Sequence, residues 1–352
     1  MQVFKNKYWQ LLMSPFSILY KWVMQFRNHL YDIESKAVFR FDTKVISVGN
    51  LSMGGTGKTP FVEYLIRWMI ENGYANKVAT LSRGYGRKSK GFRIANKEDS
   101  PETIGDEPFQ IYQKFKEEAV ISVGEDRVLA VPTIIYEHPE TEIIILDDAF
   151  QHRSIKPDFS VLLTDFSSLF YKDFVLPSGT LRESRKGAKR ADVVVVTKCP
   201  TDLGQLEKAR IVENISRYTK NKVFFTTVQY EKPIATMAGK ELRRNIVLVT
   251  GIAHSQNLVN YLMEQGFTIK KHFNFADHHN FSSKEIKEIE KISDAENTDI
   301  LTTEKDWVRL TCTPELSGSF RARLFYVPIM VQFLDDEFSF HQILEDSIVR
   351  AQ

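Results

Sequence analysis

A glycine-rich loop has the residue types and spacing needed to bind nucleotide phosphates. It consists of Ser52, Met53, Gly54, Gly55, Thr56, Gly57, Lys58 and Thr59. An apolar segment at 45–48 precedes the loop, and an amphipathic pattern reaching about residue 72 follows it. A strand, a glycine loop and a helix N-terminus together offer backbone N–H groups and a helix dipole to oxyanions. The lysine can reach the β- and γ-phosphates, and the threonine hydroxyl can ligate Mg2+.

The loop departs from the G-x-x-x-x-G-K-S/T pattern because Ser52 stands where the first glycine is expected. The strand pattern before it and the helix pattern after it supply the structural context that the motif requires. We therefore predict that the loop binds the phosphates of a nucleotide. The alternative is an ordinary strand-to-helix turn with a surface lysine at position 58.

Two carboxylates, Asp147 and Asp148, come at the end of the apolar segment at 142–147. An aspartate that emerges from a buried strand beside a phosphate loop holds Mg2+ directly or through water. We predict that this pair and Thr59 form a Mg2+ site. The alternative is that the two acids only cap the turn that follows.

Asp106 is a third acid of interest, in the sequence Gly105-Asp106-Glu107-Pro108 before a predicted helix at 107–117. The pattern suits an N-cap at Asp106, with Pro108 in the first turn, and capping alone explains it well. A carboxylate at this edge of a sheet could also accept a proton from an attacking hydroxyl. Both interpretations remain open from the pattern.

Adjacent histidines, His278 and His279, lie with Asp277 in a loop at 275–281. Adjacent histidines seldom both reach one metal ion, so a histidine that orients or charges a carboxylate is the alternative chemistry. The structural interpretation is a capping turn, with Ser282 as N-cap and Glu285 three residues later.

Two basic stretches, 83–88 and 182–186, each follow a predicted strand or turn at the same sheet edge. Clustered arginine and lysine beside a phosphate site can bind an anionic substrate. A charge run on a solvated loop is the alternative.

Strand patterns alternate with helix patterns along most of the chain. Strands are predicted at 43–49, 77–82, 119–123, 142–147, 159–164, 192–197, 222–228, 245–250, 267–273, 299–303 and 323–328. Helices are predicted at 58–72, 107–117, 126–137, 204–219, 255–265, 282–293 and 337–350. This alternation predicts an α/β fold of the P-loop NTPase type, a mostly parallel sheet with helices on both faces. We divide the chain into an N-terminal helical segment at 1–35, a nucleotide-binding core at 36–232 and a smaller C-terminal α/β lobe at 233–352.

The N-terminal segment has the pattern of an amphipathic helix that begins at Ser14-Pro15. Apolar residues recur at helical spacing, and aromatic residues and lysines surround them. The apolar positions are Phe16, Leu19, Tyr20, Val23, Phe26 and Leu30. A cationic, aromatic helix of this kind suits an anionic membrane surface. The alternative is a helix that packs on the protein's own core.

The composition is that of a globular protein of 352 residues, 43% hydrophobic and 26% charged. A net charge of +2 gives no case for nucleic-acid binding. The two cysteines, Cys199 and Cys312, have no metal-binding spacing, and we expect reduced thiols in a cytosolic protein. No run of 18 uninterrupted apolar residues predicts a membrane-spanning helix. No small-residue cleavage site follows an apolar core, so we predict no secretory signal.

The order of these segments resembles the tetraacyldisaccharide 4'-kinases, the lipid A 4'-kinases of Gram-negative bacteria. The resemblance covers nearly the whole chain. It rests on GNLSMGGTGKTP (49–60), SRGYGR (82–87), GDEP (105–108), the turn ending at Arg127, LDDAFQHR (146–153), LPSGTLRES (176–184), ADHHNF (276–281) and TEKDW (303–307). It implies transfer of the ATP γ-phosphate to the 4'-hydroxyl of a lipid A disaccharide 1-phosphate, a glycolipid. It also implies a Mg2+ cofactor and an N-terminal helix on the cytoplasmic face of the inner membrane.

The resemblance also implies roles for individual residues. Asp106 and His278 match the catalytic pair, Lys58 and Thr59 match the phosphate-loop lysine and threonine, and Asp147 and Asp148 match the paired acids. Substrate or phosphate contacts fall on Arg127, Gln151, His152, Arg182 and Glu183. Because His279 is adjacent, the choice of catalytic histidine stays open; we take His278 because it directly follows Asp277.

Two other classes of protein compete with this interpretation. A partitioning-type ATPase switch on a membrane shares the GGTGKT loop but carries a lysine where this chain has Met53. It also needs no acid–histidine pair. A small-molecule kinase or GTPase gains slight support from Thr197-Lys198, a possible base-reading turn, but it leaves the N-terminal helix unexplained.

Overall fold

A nine-stranded, mostly parallel sheet forms the core of the molecule. The computed structural model describes residues 7–252, 255–277, 279–313 and 316–349. The core strands are β1 (Lys44–Asn50), β2 (Val78–Ser82), β3 (Arg93–Ile94), β4 (Ala119–Val123), β5 (Ile143–Asp147), β6 (Phe159–Asp165), β7 (Val193–Thr197), β8 (Lys222–Tyr230) and β14 (Ile329–Phe333). Their order in space is β14-β8-β7-β6-β1-β5-β2-β4-β3, and only the two edge strands run antiparallel to their neighbours. The central strands are buried on both faces, which explains their continuous aliphatic sequences.

Helices cover both faces of this sheet, as the sequence predicted. One face carries α2 (Lys58–Met69), α4 (Asp106–Phe115) and α11 (Glu337–Val349), which contribute Phe61, Phe109 and Phe340 to a single apolar cluster. The opposite face carries α5 (Arg127–Glu137) and α6 (Gln205–Ile215). A short helix, α3 (Pro101–Ile104), leads into α4.

A second sheet of five strands forms a smaller lobe. Its strands are β9 (Ile234–Ala235), β10 (Asn245–Thr250), β11 (Thr268–Asn274), β12 (Asp299–Thr303) and β13 (Leu324–Val327), in the order β11-β10-β12-β13-β9. Its helices are α7 (Gln256–Glu264), α8 (Ser283–Ala295), α9 (Glu304–Thr311) and α10 (Gly318–Arg323). Apolar clusters lie on both faces of this sheet as well.

The chain crosses from the core to the lobe and back again. It leaves the core after β8 and returns as β14, which pairs antiparallel with β8, from Ile329 opposite Tyr230 to Phe333 opposite Thr226. The two crossing segments are adjacent, because the Glu231 N–H donates to the Pro328 carbonyl at 2.9 Å. The lobe therefore lies between β8 and β14, whereas the predicted division at 233–352 assigned the last strand and helix to it.

The N-terminal helix, α1 (Lys7–Asp32), begins earlier than the predicted start at Ser14-Pro15. Pro15 lies inside it and cannot donate a hydrogen bond to the carbonyl of Leu11. The Ser14 hydroxyl donates to that carbonyl instead, at 2.8 Å, so the helix continues through the proline. None of the helices that the structure describes is both long and apolar enough to span a membrane.

Candidate active site

The glycine-rich loop joins β1 to α2 at the carboxyl edge of the core sheet. Gly54 and Gly57 have φ values of 113° and 80°, a region that glycine adopts without a steric penalty. The side-chain amide of Asn50 donates to the Thr56 hydroxyl at 2.8 Å, and the Met53 N–H donates to the Thr180 carbonyl at 2.8 Å. These two hydrogen bonds connect the loop to β1, at Asn50, and to the segment around residue 180.

The N-terminus of α2 points its backbone amides into this loop. Gly57 occupies the capping position and, as a glycine, has no side chain that could cap the first turn. Uncapped amides and the helix dipole form an anion site without any further group. Lys58, the first residue of the helix, extends its ammonium to within 3.7 Å of the Asp148 carboxylate.

A turn after β7 holds the outer side of the loop. The buried Thr197 hydroxyl donates to the Thr56 carbonyl at 2.8 Å. Lys198 has a left-handed backbone conformation, with φ at 56°. Its ammonium donates to the Gly55 carbonyl and pairs with Asp165 at 2.9 Å. The backbone carbonyls of the loop therefore point to this turn.

The paired acids at the end of β5 have different environments. Asp147 is buried, and its Oδ2 accepts a hydrogen bond from the Ser82 hydroxyl at 3.2 Å. Burial and the nearby Glu107 carboxylate raise the pKa of Asp147 to about 7. Burial also acts to raise the pKa of Asp148, but the charges of Lys58 and Arg182 outweigh it and lower that pKa overall.

The donor set at this edge fits a magnesium ion. Oδ1 of Asp147 is buried and accepts no hydrogen bond from any residue the structure describes. The Thr59 hydroxyl stands in the first turn of α2, at the phosphate loop. Over the described ranges, no group of three or more His, Cys, Asp or Glu side chains forms a metal cluster. Two oxygen ligands suit Mg2+, which usually keeps several waters and binds substrate phosphates.

Arg182 and Arg127 both donate hydrogen bonds to this pair of acids. The Arg182 guanidinium donates to both carboxylate oxygens of Asp148 at 2.9 Å. Arg127, the first residue of α5, is buried and donates to the backbone carbonyls of Asp147 at 2.5 Å and Asp148 at 3.3 Å. Arg127 therefore fixes the backbone of the two acids, and Arg182 fixes the side chain of one.

His152 lies close to this group and stays neutral at physiological pH. Burial and the Arg127 charge lower the pKa of His152 to about 4. Its Nε2 is buried and has no hydrogen-bond partner within the part of the chain that the structure describes. A neutral imidazole with an unused nitrogen can donate or accept one hydrogen bond from a ligand.

Gln151 and Glu183 connect the site to α1. The Gln151 amide donates to the Asn50 carbonyl at 2.8 Å and to the Glu183 carboxylate at 3.1 Å. Glu183 is buried and also accepts from Arg190 at 2.7 Å and from Asn28 of α1 at 2.9 Å. The carboxylate of Glu183 is thus satisfied by protein donors that tie α1 to the carboxyl edge.

The N-cap prediction for Asp106 is wrong. Gly105 is the capping residue of α4, with φ at 95°, and Asp106 is the first helical residue. The Asp106 carboxylate instead accepts from Nε of Arg309, on α9 of the lobe, at 2.7 Å. A Cβ on Gly105 would lie 3.2 Å from the Tyr85 carbonyl, so the start of α4 lies against the loop that follows β2, the strand next to β5.

His278 lies outside the residues that the structure describes, so its position relative to Asp106 remains a prediction. The neighbouring His279 stacks on Phe275 with ring centroids 4.4 Å apart, and its Nε2 is 3.1 Å from the Glu285 carboxylate. The alternative capping turn exists, because Ser282 and Glu285 form a reciprocal capping box at the start of α8. The ring of His279 is therefore packed within the lobe.

Three residues at the site received no role from the sequence. Ser82 holds Asp147, Arg309 holds Asp106, and Lys198 holds the phosphate loop. Arg309 follows TEKDW, which carried the resemblance but no chemistry, and Lys198 was considered only as a base-reading position. Their partners are distant in sequence, so nothing in the local pattern identifies these contacts.

A parallel sheet, a glycine loop that opens a helix and an aspartate pair on the neighbouring strand define a P-loop nucleotide-binding protein. A family model described as tetraacyldisaccharide-1-P 4'-kinase matches residues 9–349. The chain belongs to this family.

Individual relatives agree with the family assignment. The chain is 44% identical to the tetraacyldisaccharide 4'-kinase of Flavobacterium psychrophilum over 334 residues, 93% of each chain. It is 40% identical to that of Flavobacterium johnsoniae, over 94% of each chain. A crystal structure of LpxK from Aquifex aeolicus in complex with ATP has a TM-score of 0.74 and 28% identity, covering 96% of this chain and 99% of that one. The chain is thus a kinase of lipid A biosynthesis, and the partitioning-ATPase alternative is not favoured.

Proposed function

We propose that this chain transfers the γ-phosphate of ATP to the 4'-hydroxyl of a lipid A disaccharide 1-phosphate at the cytoplasmic face of the inner membrane. The observation that carries the proposal is the position of α1. One side of this helix is hydrogen-bonded to the segment that holds Arg182 and Glu183, and its other side is apolar and exposed. A helix that touches both the anion-binding edge and the surroundings suits a substrate with a phosphorylated headgroup and acyl chains.

The phosphate loop and Lys58 hold the triphosphate in this mechanism. Backbone amides of residues 52–59 surround the β-phosphate, and the Lys58 ammonium neutralises charge that grows on the γ-phosphate during transfer. That ammonium lies 3.7 Å from the Asp148 carboxylate.

Thr59, Asp147 and Asp148 would hold Mg2+. When bound there, the ion neutralises the phosphate oxygens and fixes the geometry of the triphosphate. The protein contributes an unpartnered carboxylate oxygen on Asp147, whose other oxygen Ser82 fixes. Arg182 keeps Asp148 ionised and oriented.

Asp106 is the proton acceptor for the substrate hydroxyl, and His278 orients or charges it. Support comes from its place in the first turn of α4, which begins against the loop after β2, and from the family motif. Phosphoryl transfer needs little covalent chemistry from the protein, so a positioned carboxylate is sufficient as the base. The engagement of His279 with Glu285 and Phe275 favours His278 for this role.

The glycolipid headgroup would bind along Arg127, Gln151, His152, Arg182 and Glu183. Only some of these have capacity for a direct ligand contact. His152 has an unused ring nitrogen, and Arg182 is half-buried beside Asp148. Arg127 and Glu183 are buried among protein partners, so we expect them to act mainly by holding the other residues in position.

The membrane contact would be made by the exposed side of α1. Its apolar side chains are between 57% and 85% exposed, and they are Tyr8, Leu11, Leu12, Phe16, Ile18, Leu19, Trp22, Val23 and Phe26. An exposed apolar and aromatic helix face with lysines nearby is typical of a helix that lies in the interface plane. Both predictions for this helix, core packing and membrane contact, are therefore compatible.

The test is transfer of label from γ-labelled ATP to a lipid A disaccharide 1-phosphate in mixed micelles. We expect labelled glycolipid with the wild-type chain and a large loss of transfer, with ATP affinity retained, for Asp106→Asn and His278→Ala. Label released only as inorganic phosphate, at a rate independent of the glycolipid, would contradict the kinase proposal. An active Asp106→Asn variant would remove Asp106 from the mechanism and leave the rest standing.

A further inference from the structure

The C-terminal lobe supplies a side chain directly to the core's candidate base. We propose that Arg309 is a positioning residue for phosphoryl transfer, which holds the Asp106 carboxylate in the orientation needed at the sheet edge. This inference rests on the proposed role of Asp106. It adds that the base is completed by an arginine from the second lobe.

Arg309 contacts the Asp106 carboxylate through two of its guanidinium nitrogens, a two-pronged contact. Both Nε and a terminal nitrogen of Arg309 lie 2.7 Å from Oδ2 of Asp106. The arginine side chain is only 6% exposed, and that of Asp106 is 30% exposed. Arg309 is therefore shielded within the lobe contact, whereas Asp106 keeps access to a ligand at the edge.

Arg309 is itself held by a fully buried acid, Asp306, one helical turn earlier on α9. Oδ1 of Asp306 accepts from Arg309 at 3.3 Å. Its Oδ2 accepts from the Gly251 N–H at 2.8 Å and from the Thr303 hydroxyl at 2.6 Å. Because Asp306 holds the Arg309 guanidinium, the side chain of Arg309 has little rotamer freedom. Arg309 in turn restricts the rotamer of the Asp106 carboxylate.

The loops next to Asp306 belong to the same site. A Cβ on Gly251 would lie 2.9 Å from Oδ1 of Asp306 and 3.4 Å from the Ala276 carbonyl. Gly251 therefore lets the end of β10 approach both α9 and the loop at 276–281. Asp306 thus connects Gly251 and Thr303 to Arg309, which gives the TEKDW segment a physical role.

The charge of Asp106 explains why an arginine is needed. A carboxylate that must approach a sugar hydroxyl beside the γ-phosphate would be repelled by the triphosphate. The Arg309 guanidinium, bound to Oδ2 of Asp106, offsets part of that charge and fixes the carboxylate rotamer. Misplacement of a catalytic group by about 1 Å can lower turnover about 100-fold.

The alternative is that Arg309 only fastens the lobe to the core. A second contact between α4 and the lobe separates the two ideas. Lys114 of α4 lies between Glu63 of the core at 2.5 Å and Glu304 of α9 at 2.7 Å. Lys114→Met breaks this fastening on the same pair of helices without touching Asp106, so it is the matched control.

The experiment compares Arg309→Met, Arg309→Lys, Lys114→Met and Asp106→Asn, with turnover, the KM for ATP and thermal unfolding measured for each. For Arg309→Met we expect a turnover loss of about 10- to 100-fold with little change in the KM for ATP. Arg309→Lys keeps the charge but not the two-pronged geometry, so it should recover part of the loss. Lys114→Met should lower the unfolding temperature while the folded enzyme keeps its turnover.

Each remaining outcome has one meaning. Equal turnover losses in Lys114→Met and Arg309→Met would mean that Arg309 only stabilises the contact between the lobe and the core, and the inference would be overturned. A turnover that decreases in parallel with the unfolding temperature across the variants would mean the same. The same holds if folded Arg309→Met turns over normally while Asp106→Asn is inactive. If Asp106→Asn is active, Asp106 is not the proton acceptor, and the role of Arg309 that depends on it is rejected as well. In an Asp106→Asn background, Arg309→Met should add little further loss, because the two residues act as a unit.

Discussion

At the scale of single residues, the site is a set of oppositely charged side chains that contact one another. Asp148 contacts both Lys58 and Arg182, and Asp106 contacts Arg309. Such pairs hold each side chain in a defined rotamer. The closeness of Lys58 to Asp148 was predictable from spacing, because one short motif contains the lysine and one strand end contains the acid. The arginine partners of the acids were not predictable, since the fold alone brings them together.

Lys58 offers the most direct test at this scale. Lys58→Ala should lower turnover by at least ~100-fold, because its charge contact with the γ-phosphate strengthens in the transition state. Steady-state kinetics at saturating ATP measure this effect. Lys77→Ala, which removes a lysine paired with Glu142 at the start of β5, is the control and should stay active. Near-normal turnover of Lys58→Ala would rule out the phosphate-loop assignment.

His152 gives a pH-dependent prediction. Burial and the Arg127 charge lower its pKa from 6.5 to about 4 in the folded chain. As the pH falls below 6.5, the unfolded chain therefore takes up a proton that the folded chain does not, and stability is lost towards pH 4. In His152→Gln the decline of unfolding temperature over this range should be shallower. His29→Gln, at an exposed position on α1, is the control, and equal declines in both variants would refute the prediction.

At the scale of elements, hydrophobic patterning predicted the frame of the molecule well. Each strand predicted from an apolar run appears within two residues of its expected bounds. The short edge strands β3, β9 and β14 were missed, as were α3, α9 and α10. β14 has the apolar sequence IMVQF, but only Val331 and Phe333 are buried and the strand pairs on one side only. The start of α1 was misplaced because Ser14-Pro15 resembles a helix N-terminus, whereas Ser14 compensates for an internal proline.

The exposed face of α1 can be tested without removing its packing on the core. The combined change Phe16→Gln, Leu19→Gln, Val23→Gln and Phe26→Gln should release the protein from anionic vesicles, because it removes apolar area that binds the interface. The contacts of Tyr20 and Asn28 with the site stay in place. Co-sedimentation measures the effect. Leu129→Gln, at an exposed apolar position on α5, is the control. Unchanged sedimentation of the fourfold variant would show that the face does not bind membranes.

The turn after β7 can be tested through ATP affinity. Thr197→Val removes one hydrogen bond to the phosphate loop and preserves side-chain shape. The lost hydrogen bond should destabilise the binding-competent loop conformation by roughly 1 kcal/mol. We therefore expect the KM for ATP to rise about fivefold, with a smaller effect on turnover. Thr226→Val, whose hydroxyl donates to the Val196 carbonyl at 3.4 Å away from the loop, is the control. An unchanged KM for ATP would mean that the loop keeps its shape without this turn.

At the scale of the whole molecule, the lobe is inserted between the last two strands of the core. Phe340 of α11 packs against Phe61, Phe159 and Phe224, whose ring centroids lie 5.4 to 6.3 Å away. The end of the chain therefore stabilises the nucleotide-binding core, not the lobe. Sequence order suggested the opposite, because a segment that follows the lobe was assigned to it.

Truncation after residue 328 tests this arrangement. We expect the shortened chain to lose most of the stability of its core, because β8 loses its edge partner and the Phe340 site becomes a cavity. Nucleotide binding should weaken together with core unfolding, measured by calorimetry and tryptophan fluorescence. Phe338→Ala, at a residue that is 72% exposed on α11, is the control and should behave as wild type. A truncated chain that binds ATP normally would contradict this view.

The adjacent crossings at Glu231 and Pro328 also set the order in which the chain can mature on the ribosome. Most of the core is synthesised before the lobe, but its edge strand β14 and its covering helix α11 are synthesised after the lobe. Until residues 329–349 emerge, β8 presents an unpaired edge and the apolar faces of α2 and β6 stay uncovered. The lobe, by contrast, has all of its strands and can complete its own sheet earlier. The nascent core is therefore the part of this protein that depends most on protection from aggregation.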